Sequence, residues 1–418
     1  MIAALIALSF IVRWLLFPVS GYKNDMITFE AWFRTAADNG LRFFYDLTQC
    51  DYPPLNVYLF WGFGSIAKAF SLFGTPLINY AVKLVPAIFD VATGFLIFVF
   101  IRSKLNSKIA LLAVALYVFN PAVIFNSAVW GQFDAIYSFF LVLSLMLALA
   151  SKPELSAVTY AASVLTKPQA IALLPLIAYL ILRKGGWRKL VTSLVSSAAT
   201  VFVVILPFEW SNPVTFLVNN YLFGYGRYAF TSVNAFNIWA LGGLWVSDTS
   251  ATFLLGWAMF GTLVAFTLYL LHKRFAASGE LLAFFSALVL FFGFFMLPTR
   301  IHERYLFPAI GMMTLMFVFL KKIRPLYVVL TATLFANISY VLYWLNTYAD
   351  MGYTYGPNLT GDPLVLAVSV INFIAFLYVL KLMWDELKGR SWFRIRPLKI
   401  GNSINVEAKE NENQIRPH

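Results

Sequence analysis

Charge is scarce in this chain of 418 residues. Asp, Glu, Lys and Arg together make 12% of it, about half of what a soluble domain carries. That shortage excludes an ordinary soluble fold. Cysteine is nearly absent: Cys50 is the only one, so no intrachain disulfide can form. The three histidines, His272, His302 and His418, are scattered without zinc-ligand spacing. No Walker or Rossmann glycine pattern is present, which leaves a soluble nucleotide site unsupported. The net charge of +12 does not point to nucleic acid, because Lys and Arg stand at the ends of apolar runs, where membrane topology accounts for them.

What fills the chain is apolar: 61% hydrophobic residues. Runs of about 17–22 apolar residues recur, each long enough to cross the ~30 Å core of a bilayer as a helix. The expected fold is an all-α polytopic membrane protein of about 12 membrane helices, two of them short. Met1–Val19 lacks a basic leader and a small-residue cleavage site, and Arg13 interrupts it, so it reads as a retained first helix. Arg13 either snorkels, ties helix to helix, or meets a buried acid.

A large first outer loop, 20–78, follows. Within it Met26 to Asn39 shows helical spacing on one face, stopped by Asn39-Gly40. Leu55–Phe73 is long enough to cross, but a crossing would put Arg102, Lys104 and Lys108 on the side of the Asp-rich loop. It reads instead as an interfacial or re-entrant helix. Leu155–Leu165 and Ala170–Leu182 are each too short to cross. With Thr166-Lys167-Pro168-Gln169 between them, they read as a hairpin whose tip stops inside the membrane. Basic turns at 102–108, 183–189, 273–274 and 321–324 place both termini in the cytoplasm and the Asp-rich loop outside. Residues 1–384 read as a single transmembrane domain without internal repeat. Residues 385–418 read as a disordered cytoplasmic tail.

The unusual polar clusters all fall on the predicted outer side. They are Asp25 and Asp51 in the first loop, Trp130-Gly131-Gln132-Phe133-Asp134, Ser232 to Trp239, and Arg300 to Tyr305. A channel spreads polar residues through its depth; this chain gathers them at one face, as an enzyme with a membrane-bound substrate does. Arg300, His302, Arg304 and Lys167 are candidate cations for a donor phosphate. Asp25 is the candidate catalytic base, with Asp51, Tyr52, Trp32 and Asp134 as acceptor or supporting residues. Each has a structural alternative. Asp25 and Asp134 would serve as helix caps, Asp51 as the anchor of the Pro53-Pro54 turn, Lys167 as a cap of hairpin carbonyls, and His302 with Arg304 as the anchor of the next helix. No metal site and no cofactor are expected.

Several of these residues fall into a known pattern. Asp25 with Trp32 seven residues on, Cys50-Asp51-Tyr52-Pro53-Pro54-Leu55, the Lys167 hairpin and His302-Glu303-Arg304 together resemble the GT-C superfamily of membrane glycosyltransferases. The match is nearest to the dolichyl-phosphate-glucose glucosyltransferases of N-glycan assembly and their prokaryotic relatives. The resemblance implies a GT-C fold and a hexosyltransferase that moves one glucose or mannose from a polyprenyl-phosphate sugar, its co-substrate, to a glycan or lipid-linked acceptor with inversion. It implies the first-loop Asp as general base and the His-Glu-Arg region near the lipid phosphate. The implied partners are membrane lipid, the sugar donor and the acceptor, with the site on the outer or luminal face of a multi-pass cell-membrane protein. The rival class is a transporter or flippase of lipid-linked saccharides, which predicts pseudo-symmetric halves; the sequence contains one short hairpin and no counterpart.

Overall fold

A computed structural model of the chain describes residues 1–209, 211–348 and 361–390, apart from the side chains at 223 and 225. It is predominantly helical. Five helical stretches are long and apolar enough to cross a membrane: Ile78–Arg102, Pro168–Ile205, Ser250–Met296, Ile323–Tyr348 and Pro363–Leu387. A sixth forms if Ser107–Val118 and Pro121–Trp130, bent by 48° at Asn120, count as one. The protein is thus an all-α polytopic membrane protein. By length alone, twelve crossings are not reached: Ile2–Leu16, Asp134–Leu149 and Phe307–Phe317 are apolar but shorter than a full span.

The long helices turn back on themselves. Helix α12 (Ser250–Met296) would reach about 70 Å if straight. Gly279, at φ 62°, breaks it in a conformation that suits glycine. Beyond the break the two arms run antiparallel: a Cβ at Gly256 would lie 2.8 Å from the Leu297 carbonyl, and one at Gly293 would meet Leu263. Phe260 and Phe294 pack edge to face at 5.5 Å. Gly186, at φ 70°, breaks α10 (Leu174–Ile205) in the same way. The second arm of α10 returns along α9 (Pro153–Val164), tied by Lys189–Glu154 at 2.8 Å and Ser197–Ala157. Gly186 lies in the basic turn 183–189, and Gly279 follows five residues after Lys273-Arg274.

Ion pairs join those turns at one end of the bundle. Lys104 meets Glu280 at 2.6 Å, and Arg274 meets Glu386 at 3.4 Å. Arg183 lies 5.3 Å over Phe275. Opposite them, α2 (Lys23–Asn39) and α4 (Pro54–Ala69) form a separate apolar cluster with the short α3 (Phe44–Leu47). Helix α2 buries Phe29, Trp32, Phe33 and Ala36, the face expected from its spacing, and ends at Gly40, φ 71°. Gly64 of α4 comes so close to Phe33 that a Cβ there would lie 2.3 Å from its carbonyl oxygen.

Arg13 finds an acid, not a lipid headgroup. In α1 (Ile2–Leu16) it pairs with Asp90 of α5 (Ile78–Arg102) at 3.1 Å, both fully buried. It also donates to Ser9 Oγ at 2.6 Å and the Val118 carbonyl at 2.8 Å. Ser127 donates to the same Asp90 carboxylate at 2.6 Å, so the charge is compensated on several sides, as a buried pair requires. Ser127 lies in the π-helix Phe125–Trp130, which ends the α6–α7 segment (Ser107–Val118, Pro121–Ile124). Between α10 and α12 lie helix α11 (Pro213–Gly226) and strand β1 (Ser232–Val233). Strand β1 runs parallel to β2 (Ile301–His302), with Val233 opposite His302. The remaining helices are α8 (Asp134–Leu149), α13 (Phe307–Phe317), α14 (Ile323–Tyr348) and α15 (Pro363–Leu387). Asp385 falls inside α15 and is buried, so the tail begins later than expected. The rest of the expected tail, from 391 on, lies outside the described residues.

Candidate functional site: a charged pocket above the helix hairpin

Several separated stretches meet around one cavity of about 260 Å³. Its walls include Asp25, Phe29 and Trp32 from α2; Asp51, Tyr52 and Pro53; Lys167 to Gln169 at the hairpin tip; and Arg300, His302 and Arg304. Every candidate site residue except Asp134 borders it. A pocket with apolar walls and a few convergent polar groups is the usual form of a small-ligand site.

Asp25 does not cap its helix. The helix begins two residues earlier, at Lys23, and Tyr22 in the capping position makes no side-chain cap bond. Its carboxylate turns instead toward the WGQFD segment: Trp130 Nε1 donates to Oδ2 at 2.9 Å and Gln132 Nε2 at 2.7 Å. Burial pushes this carboxyl above its ordinary value, and the Arg304 charge and the Trp130 N–H offset part of that. Gln132 also receives the Tyr52 hydroxyl at 3.3 Å.

The cations are not equivalent. Lys167 donates to Asp134 Oδ1 at 2.8 Å, and both side chains are buried. Asp134 opens α8 at its first residue without capping it. Behind the cavity wall its carboxylate holds Lys167, takes Asn126 Nδ2 at 3.3 Å, and lies 3.5 Å from Arg304 Nε. Arg304 is paired through Nη1 with Glu303; its Nε has no hydrogen-bond partner. Buried Lys167 and half-buried Arg304 thus stand in one row with two buried acids.

Three of the expected residues have other close partners or surroundings. Burial, with the Arg304 and Lys167 charges, pushes the His302 imidazole well below its ordinary value, which favours its neutral form. Arg300 is committed to Asp248 at 3.0 Å and lies over Phe253, so its side chain braces the pocket edge. Lys167 caps no hairpin carbonyl; it is the partner of Asp134. Trp32, meanwhile, donates its indole N–H to the Gln49 carbonyl at 3.2 Å and packs on Phe29, Tyr52 and Phe60. The Ser232 to Trp239 segment stays out of the pocket. Asn237 donates to the Phe295 carbonyl and Trp239 Nε1 to that of Leu297.

Sequence reasoning missed two residues. Arg227, just past helix α11, reaches Asp51 Oδ2 at 3.5 Å and borders the cavity; nothing in its surroundings marks it. Gln132 was within reach, since it sits in a polar cluster two residues from the selected Asp134. Among the described residues no group of three His, Cys, Asp or Glu is placed to hold a metal.

A sequence model of the family described as GPI transamidase subunit PIG-U matches residues 36–241, just under half of the chain. Comparison with curated proteins gives no match. The family match overturns the resemblance to dolichyl-phosphate-sugar glycosyltransferases. It also overturns what followed from it: hexosyl transfer from a polyprenyl phosphate, the glucosyl- or mannosyltransferase activity, the saccharide transporter kept as its rival, and the sugar donor and acceptor as partners. The physical reason is visible in the motif residues. Trp32 and Tyr52 use their polar groups on Gln49 and Gln132. Such a motif reports how a pocket is built at a membrane face, and not what reaction passes through it.

Proposed function

We propose that the chain is a membrane-embedded subunit of an anchor-attaching assembly, similar in role to the GPI transamidase subunit that it matches. Its pocket holds the phosphate-bearing headgroup of a glycolipid. One observation carries this reading: the matched segment builds part of the pocket, while Asp25, Trp32, Arg300 to His302, Arg304 and Tyr305 join it from outside the match. Residues 36–241 supply Asp51 to Pro53, Gln132, Lys167 to Gln169, and Gly224 with Arg227 and Tyr228 to its walls. GPI is a glycolipid with phosphate in its headgroup, and Arg304 and Lys167 have the chemistry to bind one. Arg304 has five N–H donors, of which those at Nη1 and Nε face Glu303 and Asp134; Lys167 has two protons beyond the one given to Asp134. Ile171, Trp257 and Phe294 form an apolar wall suited to the start of a lipid tail.

The fold is read more finely as a GT-C-like arrangement of twelve apolar helical segments, without the transfer chemistry. What supports it is that α10 and α12 each divide at a glycine with left-handed φ. The pocket faces the outer or luminal side, supported by the gathering of the basic turns at the opposite end.

The test is lipid co-isolation. Full-length protein is purified from membranes and its bound lipids are identified by mass spectrometry. A phosphate-bearing glycolipid should accompany the wild type and be lost from Arg304→Ala. Phosphate-free lipids alone, in equal amount on both proteins, would reject the reading.

A further inference from the structure

A second cavity, also about 260 Å³, lies behind the 49–52 segment. Gln49 borders this cavity, while Asp51 and Tyr52 border the charged pocket. Helix α11 serves both: Phe216, Asn219 and Asn220 face the second cavity, and Gly224 lies against Asp51 in the first. The two cavities are neighbours divided by one extended segment.

Their chemistry differs. The second cavity has no charged residue on its walls. It offers three side-chain amides, Gln49, Asn219 and Asn220, with the Thr48 hydroxyl and two rings, Tyr45 and Phe216. Asn220 Oδ1 is buried with no hydrogen-bond partner, which a native protein seldom leaves unsatisfied. Tyr45 donates its hydroxyl to the Tyr52 carbonyl at 2.7 Å, and the Asn220 side chain bonds the same hydroxyl. A phosphate would find no cation here. An amide presents donor and acceptor side by side, which suits neighbouring hydroxyl groups, and ring faces suit the C–H side of a sugar.

We propose that this cavity is a binding subsite for an uncharged hexose. Resting on the glycolipid reading, the sugar is part of the glycan whose phosphate occupies the charged pocket. Asn220 Oδ1 then receives a sugar hydroxyl.

The probe is an uncharged hexose trisaccharide that carries a diazirine and neither lipid nor phosphate. It is photolysed with full-length protein in detergent, and labelled peptides are mapped by mass spectrometry. Saturable labelling is expected in the peptides holding 45–49 and 216–220. It should weaken roughly tenfold when Asn219→Leu and Asn220→Leu are combined, the loss of about two hydrogen bonds. Gln49→Glu, on a separate element, should also weaken it, and decides the matter if the double variant unfolds. Arg304→Ala should leave it unchanged. Labelling elsewhere, or labelling indifferent to these substitutions, overturns the subsite. Labelling that stands while no phosphate-bearing lipid binds overturns the glycolipid as the source of the sugar and leaves the subsite in place.

Discussion

Gln132 joins Asp25 to Tyr52: its Nε2 donates to the Asp25 carboxylate at 2.7 Å while its Oε1 receives the Tyr52 hydroxyl at 3.3 Å. One amide thus locks the start of α2 to the Asp51-Tyr52-Pro53 segment. Lys167 lies against the same assembly, its Nζ 5.3 Å from the centroid of the Tyr52 ring. The acids and the cations come from different parts of the chain, and substitutions can separate them.

Asp25 gives the first prediction. Its carboxyl is raised by burial, so ionising it costs more in the folded than in the unfolded protein. That cost is absent below about pH 4, the unfolded value. It grows as pH rises and is complete once pH passes the folded value. Asp25→Asn keeps the acceptor for Trp130 and Gln132 and removes the cost. The Tm of Asp25→Asn should match wild type near pH 4 and exceed it at pH 8. A lower Tm at pH 8 would show that the charge stabilises the fold. Binding should follow the same titration: the wild type should take a phosphate-bearing lipid more tightly as pH falls, and Asp25→Asn should bind with little pH dependence.

The buried pair Lys167–Asp134 gives the second. Removing one member strands the other. Asp134→Ala should cost about 3–5 kcal/mol and lower the Tm sharply. Lys167→Met with Asp134→Leu should recover much of that stability and still fail to bind the lipid. Recovery of binding in the double variant would remove Lys167 from the site.

Arg13–Asp90 gives the third, with the opposite pattern. Asp90→Ala should destabilise by about 3–5 kcal/mol, and Arg13→Met with Asp90→Leu should recover stability together with lipid binding. The pair lies outside the pocket walls, so persistent loss of binding in a stable double variant would show that the network also sets the pocket.

Topology gives the fourth. In a Cys50→Ser background, cysteines at the exposed positions Asn39 and Ser103 should label from opposite sides of the membrane. The first lies before α4 and the second in the basic turn after α5. Labelling of both from one side would mean that Leu55–Phe73 crosses after all.

The helices were legible where apolar runs meet punctuation. Gly40, Gly186 and Gly279 end or break helices at the places that their flanking charges mark. The gathering of Asp25, Asp51, Lys167 and Arg304 was legible because charges are costly at a membrane and these stand out against an apolar chain. Their pairings were not. Asp134 and Lys167 lie 33 residues apart, and Arg13 and Asp90 77 apart; only packing decides which charges meet. Helix α11 was missed because Asn219, Asn220 and its glycines read as loop, while contact with the 45–51 segment holds it helical. The reaction was the least legible part, since the same polar residues can build a pocket wall for more than one chemistry.

The central claim is that the pocket recognises phosphate. The most direct measurement is equilibrium binding of two synthetic short-chain glycolipids to the purified full-length protein. They share glycan and tails and differ only in a phosphodiester against a neutral linker of equal length. The wild type should bind the phosphate lipid about 10- to 100-fold more tightly, the worth of one or two charge-assisted hydrogen bonds. Arg304→Ala should bind both lipids alike, at the weaker affinity. Equal affinity of the wild type for the two lipids would contradict the account.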